Sequence, residues 1–161
     1  MKTLIIYASK HGSAEKAANI LYQKLEQEKE IVNIRENSKP FIDNFDTIIL
    51  GGSIYGGKIQ KEIQQFVKDN LEKLLKKKIG LYLCCGLKDD FEKQLNESLP
   101  SELINHAELK SYFGHEYNKD KMNFFEKAMV KIVAHGKGSE SELLEDKIVE
   151  FAKNIQGEGN G

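Results

Sequence analysis

Short apolar runs alternate with helical stripes along nearly the whole chain. Residues 3–7, 31–34, 47–50 and 79–84 are apolar and rich in β-branched side chains, the composition that suits a pleated sheet. The first, third and fourth runs have the continuous apolar character of parallel strands buried on both faces. Residues 107–113 alternate weakly, with Glu108, Lys110 and Tyr112 interleaved, and predict a half-exposed edge strand. Between these runs the apolar positions fall at helical spacing. Ala14, Ala17, Ala18, Leu21 and Leu25 share one face, and Ile59, Ile63, Phe66, Val67, Leu71 and Leu74 share another. Met122, Phe125, Met129, Ile132 and Val133 form a third stripe, and Leu144, Ile148, Phe151, Ala152 and Ile155 a fourth. A less regular helical stretch over 89–105 is broken near Pro100.

Strand–helix alternation with short connections predicts βαβ units, and their right-handed crossovers generate an open parallel sheet. The expected fold is α/β, a three-layer sandwich. Residues 1–156 read as one domain, and the tail over 157–161 has nothing to bury and is expected to fray. In such sheets ligands sit beyond the carboxyl ends of the strands, where the strand order reverses. Chemistry is therefore sought in the loops that follow the strands.

Charge narrows the function. Among 161 residues, 24 Lys and Arg stand against 25 Asp and Glu, a formal charge of -1. Nucleic-acid binding calls for a basic excess, and bidentate recognition of phosphates or guanine favours arginine, of which Arg35 is the only example in the chain. Both points argue against that class. No run approaches the ~20 apolar residues of a spanning helix, and a cytoplasmic location is expected. Cys84 and Cys85 are adjacent rather than spaced for zinc, and His11, His106, His115 and His135 show no ligand spacing.

Three loops have the composition of a binding rim. After the first strand, Ala8-Ser9-Lys10-His11-Gly12-Ser13-Ala14 opens directly into a helical stripe. Small residues at such a turn let backbone N–H groups converge on an anion, and the helix N-terminus adds roughly half a positive charge. Ser9 and Ser13 bring hydroxyls, Gly12 permits close approach or positive φ, and Lys10 or His11 adds charge. The pattern is neither a Walker A loop nor GxGxxG. It also fits a tight turn in which Ser13 is merely the N-cap. After the third strand, Gly51-Gly52-Ser53-Ile54-Tyr55-Gly56-Gly57-Lys58 sets four glycines around an apolar–aromatic pair. A planar ring fits against Ile54 or Tyr55 with peptide groups at its edge, and a flexible loop whose tyrosine covers the core fits equally. After the fourth strand, Cys85-Gly86-Leu87-Lys88 is a third loop of small residues. Cys84 reads as a buried strand residue and Cys85 as a small loop residue.

The segment Ser9-Lys10-His11-Gly12-Ser13-Ala14 resembles the Thr/Ser-rich FMN phosphate loop of the flavodoxin family. Ile49-Leu50-Gly51-Gly52-Ser53-Ile54-Tyr55-Gly56-Gly57 is similar to the Gly-Ala-Ser-Ile-x-Tyr-Gly stretch of flavodoxin-domain proteins of the menaquinone-dependent protoporphyrinogen IX dehydrogenase type. Residues 124–133, followed by Gly136-Lys137-Gly138, resemble the C-terminal part of that group. The resemblance implies a five-stranded parallel sheet of order 2-1-3-4-5 and a non-covalent FMN. It assigns the phosphate to Ser9, Lys10, His11, Gly12, Ser13 and Ala14. The isoalloxazine ring is then flanked by Ser53, Ile54, Tyr55, Gly56, Gly57 and Lys58 on one loop and Cys85, Gly86, Leu87 and Lys88 on the other. The flavin carries the electron chemistry and no catalytic side chain is required.

The function so implied is electron transfer with a redox partner protein or a quinone. An alternative is FMN-dependent oxidation of a protoporphyrinogen or a quinone-linked compound. For that alternative, residues 121–137 set Phe124, Phe125, Met129 and Ile132 among Lys121, Lys127, Lys131 and Lys137, a cationic amphipathic pattern able to rest on a membrane surface. An outer-layer helix with a solvated lysine face has the same pattern. A flavin-less binding module is the third reading. Its receiver version is excluded, because Tyr7-Ala8-Ser9 and Gly51 stand where a phosphoacceptor site needs acidic residues. The run Lys73, Lys76, Lys77 and Lys78 complements a helix C-terminus or offers a contact to an acidic partner.

Overall fold

The computed structural model describes residues 2–9, 12–54, 57–85, 88–115 and 142–157. Five strands form one parallel sheet: β1 (Lys2–Ala8), β2 (Glu28–Asn33), β3 (Thr47–Ser53), β4 (Lys78–Cys84) and β5 (Leu109–Tyr112), in the order β2-β1-β3-β4-β5. Alternation along each strand sends side chains to opposite faces. Leu4 and Ile6 of β1, Ile48 and Leu50 of β3, and Leu81 and Leu83 of β4 pack against α2 (Lys61–Leu74), α3 (Phe91–Ser98) and α4 (Ser101–His106). Ile5, Tyr7, Ile49 and Tyr82 face α1 (Ser13–Lys24) and α5 (Glu145–Ile155). The result is the expected three-layer α/β sandwich, with β1, β3 and β4 buried on both faces.

Strand limits depart from the apolar runs in two places. β2 begins at Glu28, three residues before the run, because parallel register with β1 pairs Lys2 with Glu28 and Leu4 with Glu30. Its charged half lies on the exposed edge, where Lys2 Nζ meets the Glu30 carboxylate at 3.0 Å. β3 continues through Gly51, Gly52 and Ser53, which composition placed in the loop. Gly51 pairs directly with Tyr82 on β4, and the Tyr82 ring lies where a Gly51 Cβ would stand. Gly52 is similarly closed off, its absent Cβ lying 2.5 Å from Gln60 Oε1. These two glycines serve internal packing rather than a ligand.

After β5 the chain forms a short antiparallel ribbon, β6 (Gly114–His115) with β7 (Glu142–Leu143). The third apolar stripe and the cationic segment lie between those two strands, outside the described residues, as do Lys10, His11, Tyr55, Gly56, Gly86, Leu87 and residues 158–161. Gly157, at φ 85°, donates its N–H to the Asn154 carbonyl at 3.0 Å and ends α5. Among the described residues, no helix is long and apolar enough to cross a membrane.

Candidate functional site

β1, β3 and β4 are neighbours in parallel register, with Ala8 opposite Gly52 and Ser53 opposite Cys84. The loops that follow them therefore leave from one edge of the sheet. The edge stays tied beyond the strands, since Ile54 N donates to the Cys84 carbonyl at 3.0 Å.

In the first loop, Gly12 sits immediately before α1 at φ 93° and ψ -10°, the left-handed region that glycine enters without a Cβ clash. Gly12, not Ser13, occupies the N-cap position, and α1 has no side-chain cap. Ser13 is the first helical residue and is buried with Ala14. The Ser9 hydroxyl accepts the Gly12 N–H at 2.7 Å, so this hydroxyl and the first-turn amides face the same turn. The first N–H groups of a helix have no carbonyl partner within it, and an anion is one partner such groups suit.

Two buried aromatic residues hold α1 in place. The Tyr82 hydroxyl donates to the Ala14 carbonyl at 2.9 Å, while its ring stacks on Phe113 with centroids 4.8 Å apart. Phe113 in turn meets Phe151 of α5 edge-on at 5.3 Å. Tyr7, near the end of β1, is buried on the face of the sheet that α1 covers. Burial, then the charges of Glu15 and Glu36, push its hydroxyl up to about 12. Burial also raises the Tyr82 hydroxyl. Both stay protonated at neutral pH and act as anchors.

In the second loop the Ser53 amide donates to Gln60 Oε1 at 3.2 Å, closing the turn across seven residues. Among the described residues, the buried Ser53 hydroxyl and Gln60 Nε2 have no hydrogen-bond partner. Unpaired polar atoms in such a place cost stability, and a bound polar group offsets that cost. Gly57 adopts φ 88° with open space around it, and Lys58 is exposed. Below, Ile59 N donates to Ser98 Oγ at 2.9 Å and Gln64 Nε2 to the Ile59 carbonyl at 2.8 Å, pinning the loop to α3 and α2. In the third loop Cys85 is buried, and Lys88 opens a short 3-10 turn. Burial, then Cys85, raises the Cys84 thiol well above its ordinary value, which suppresses its thiolate chemistry.

Pattern reading missed Arg35. Its Nη1 donates to the Ser9 carbonyl at 3.3 Å, and its Nε lies 3.4 Å from a Glu62 carboxylate oxygen. The only arginine of the chain thus stands beside the first loop. Its signal was its position just after the second apolar run. Gln60 and Ser98 gave no signal, because polar residues beside helical stripes are common. An open groove of about 480 Å³ between α2 and the α3–α4 turn is walled by long side chains, including Lys61, Gln64, Lys68 and Glu97.

The start of α1, the Ser9 hydroxyl and the Arg35 guanidinium thus gather beside the end of β1. The protoporphyrinogen IX dehydrogenase [quinone] of Escherichia coli is 29% identical over 77 residues, 46% of this chain and 42% of that protein. The match thus spans less than half of the dehydrogenase. Oxidised flavodoxin 1 of Bacillus cereus superposes with a TM-score of 0.62 at 18% identity, covering 98% of each chain. A Fusobacterium nucleatum flavodoxin bound to flavin mononucleotide gives a TM-score of 0.56 at 14% identity, again covering 98% of each. The Flavodoxin domain model matches residues 4–143, and with this sheet order and these strand-end loops the chain belongs to the flavodoxin family.

Proposed function

We propose that this chain is an FMN-binding electron-transfer protein whose cofactor lies along the carboxyl edge of β1, β3 and β4. The observation that carries this reading is the Gly12 turn, where the Ser9 hydroxyl and the uncapped start of α1 face one point at the end of a central strand. When bound, FMN supplies the one- and two-electron chemistry. The chain's own residues bind and orient. Ser13 and Ala14 present amides to the phosphate, with Ser9 and Ser13 as hydroxyl donors, while the Gly12 amide is held by Ser9 Oγ and Lys10 and His11 complete the loop. Ser53, Ile54, Tyr55, Gly56, Gly57 and Lys58 border the ring on one side, and Cys85, Gly86, Leu87 and Lys88 on the other. Tyr82 holds the phosphate end rigid through Ala14.

Purified, air-oxidised protein is expected to be yellow, or to become so on mixing with FMN and to quench the flavin's fluorescence. A colourless protein that takes up no added FMN overturns the reading. The partial match to a quinone-linked dehydrogenase favours one second reading, a quinone-coupled oxidoreductase using the same FMN. Turnover of protoporphyrinogen with menaquinone as acceptor supports it, and no turnover in lipid or detergent removes it.

A further inference from the structure

The groove between α2 and the α3–α4 turn has no part in the flavin site. It encloses about 480 Å³, with Lys61, Gln64 and Lys68 of α2 on one wall and Glu97, Ser98 and Pro100 on the other. The three α2 residues stand at i, i+3 and i+7, so a single helical face looks into it.

Charge on that face is not neutralised from within the chain. Lys61 and Lys68 are exposed, and neither has a hydrogen-bond or ion-pair partner among the described residues. The neighbouring carboxylates of α2 are engaged elsewhere: Glu62 lies 3.4 Å from Arg35 Nε, and Asp69 Oδ1 accepts Gln65 Nε2 at 2.9 Å. Further along the same helix Lys73 is paired, with Asp43 at 3.0 Å. In the groove two ammonium groups thus face one carboxylate, that of Glu97. Ser98 Oγ accepts the Ile59 amide at 2.9 Å and keeps its own proton to donate.

Spacing selects the form of the ligand. Seven helical residues rise about 10.5 Å and return to nearly the same face. A chain in polyproline II conformation repeats its side-chain direction every three residues, about 9 Å along its axis. A β-strand points to opposite faces over the same three residues. We infer that the groove docks an acidic segment of a partner protein in polyproline II form. Two carboxylates three residues apart lie against Lys61 and Lys68, and a small apolar side chain between them lies against Pro100. Lys61 opens α2 after the loop that follows β3, so a segment held here places its protein beside the carboxyl edge of the sheet. The inference does not depend on a flavin.

The whole chain, isotope-labelled and titrated with the peptide Ac-Gly-Glu-Ala-Pro-Glu-Gly-amide at low and high salt, tests it through its amide resonances. Shifts are expected at Gln64, Lys68, Glu97 and Ser98, and the affinity is expected to fall with salt. K61E/K68E is expected to weaken binding about tenfold or more, K76E at the exposed lysine beyond α2 to leave it within about twofold, and E97Q to tighten it about twofold. The same peptide with its two Glu adjacent, Ac-Gly-Glu-Glu-Ala-Pro-Gly-amide, is expected to bind about threefold more weakly. Resonances that otherwise match wild type show that each variant folds. Absence of shifts in the groove overturns the inference. So do equal weakening by K76E and the double variant, or equal binding of the two peptides, either of which marks unspecific attraction of charge. Groove shifts that appear on raising the protein concentration without peptide assign the face to a second copy and overturn it likewise.

Discussion

Tyr7 packs on the face of the sheet that α1 covers, its phenol buried there. Its folded value of about 12 stands above the ordinary 10.0, so the phenol holds its proton more tightly when folded. The associated stability is complete below pH 10 and is lost as pH rises through 12. Y7F, which lacks the titrating group, is expected to lose less stability than wild type between pH 9 and pH 12. Urea midpoints at the two pH values measure this, and equal losses would count against a Tyr7 pKa raised by burial in the fold. Tyr82 titrates in both proteins and cancels from the comparison. None of this was visible in the chain as written. Tyr7 reads simply as the last apolar position of a strand, and Glu15 as an ordinary first-turn carboxylate.

Between β3 and β4 the decisive contact is one of absence. The Tyr82 ring fills the volume over Gly51, and only this lets its hydroxyl reach Ala14 of α1. G51A is expected to cost about 3 kcal/mol, the upper end of ordinary overpacking. In a Y82A background the same substitution is expected to cost less than about 1 kcal/mol, because the clash is gone and neighbouring sites couple. Denaturant titration of the four proteins gives the coupling, and additive costs would show that the ring moves aside freely. The glycine cluster itself was plain in the sequence. That two of its members face a tyrosine and a glutamine was not, since the pairing partner of residue 51 is known only once β4 is set beside β3.

Across the whole molecule, the two ends of the sheet carry different features. The lysine run lies where β4 begins, opposite the strand-end loops. Lys73 pairs with Asp43 at 3.0 Å, Lys77 Nζ donates to the Phe45 carbonyl at 2.6 Å, and Lys78 meets Glu108 at 3.6 Å. These contacts staple α2 to its neighbours and leave less of the run for an acidic partner. At the other end, FMN that bound the folded state alone would stabilise it by mass action, about 2.7 kcal/mol at a hundredfold excess over Kd. For a chain of this size that predicts a rise of roughly 5–10 °C in the thermal midpoint. An unchanged midpoint in saturating FMN contradicts the proposed site.

Apolar periodicity alone was enough for the layers and the sites of the turns, because strand and helix bury their faces with periods of two and 3.6 residues. It located the loops after β1, β3 and β4 and the helical stripes of α1, α2 and α5. It stopped short where a contact joins residues distant in the chain. β2 gains its charged half from the register with β1, Gly51 owes its identity to Tyr82, and Arg35 reaches Ser9 from 26 positions away. Local preference is written residue by residue, whereas register, stacking and charge pairing exist only after the sheet has brought separate segments within a few ångströms.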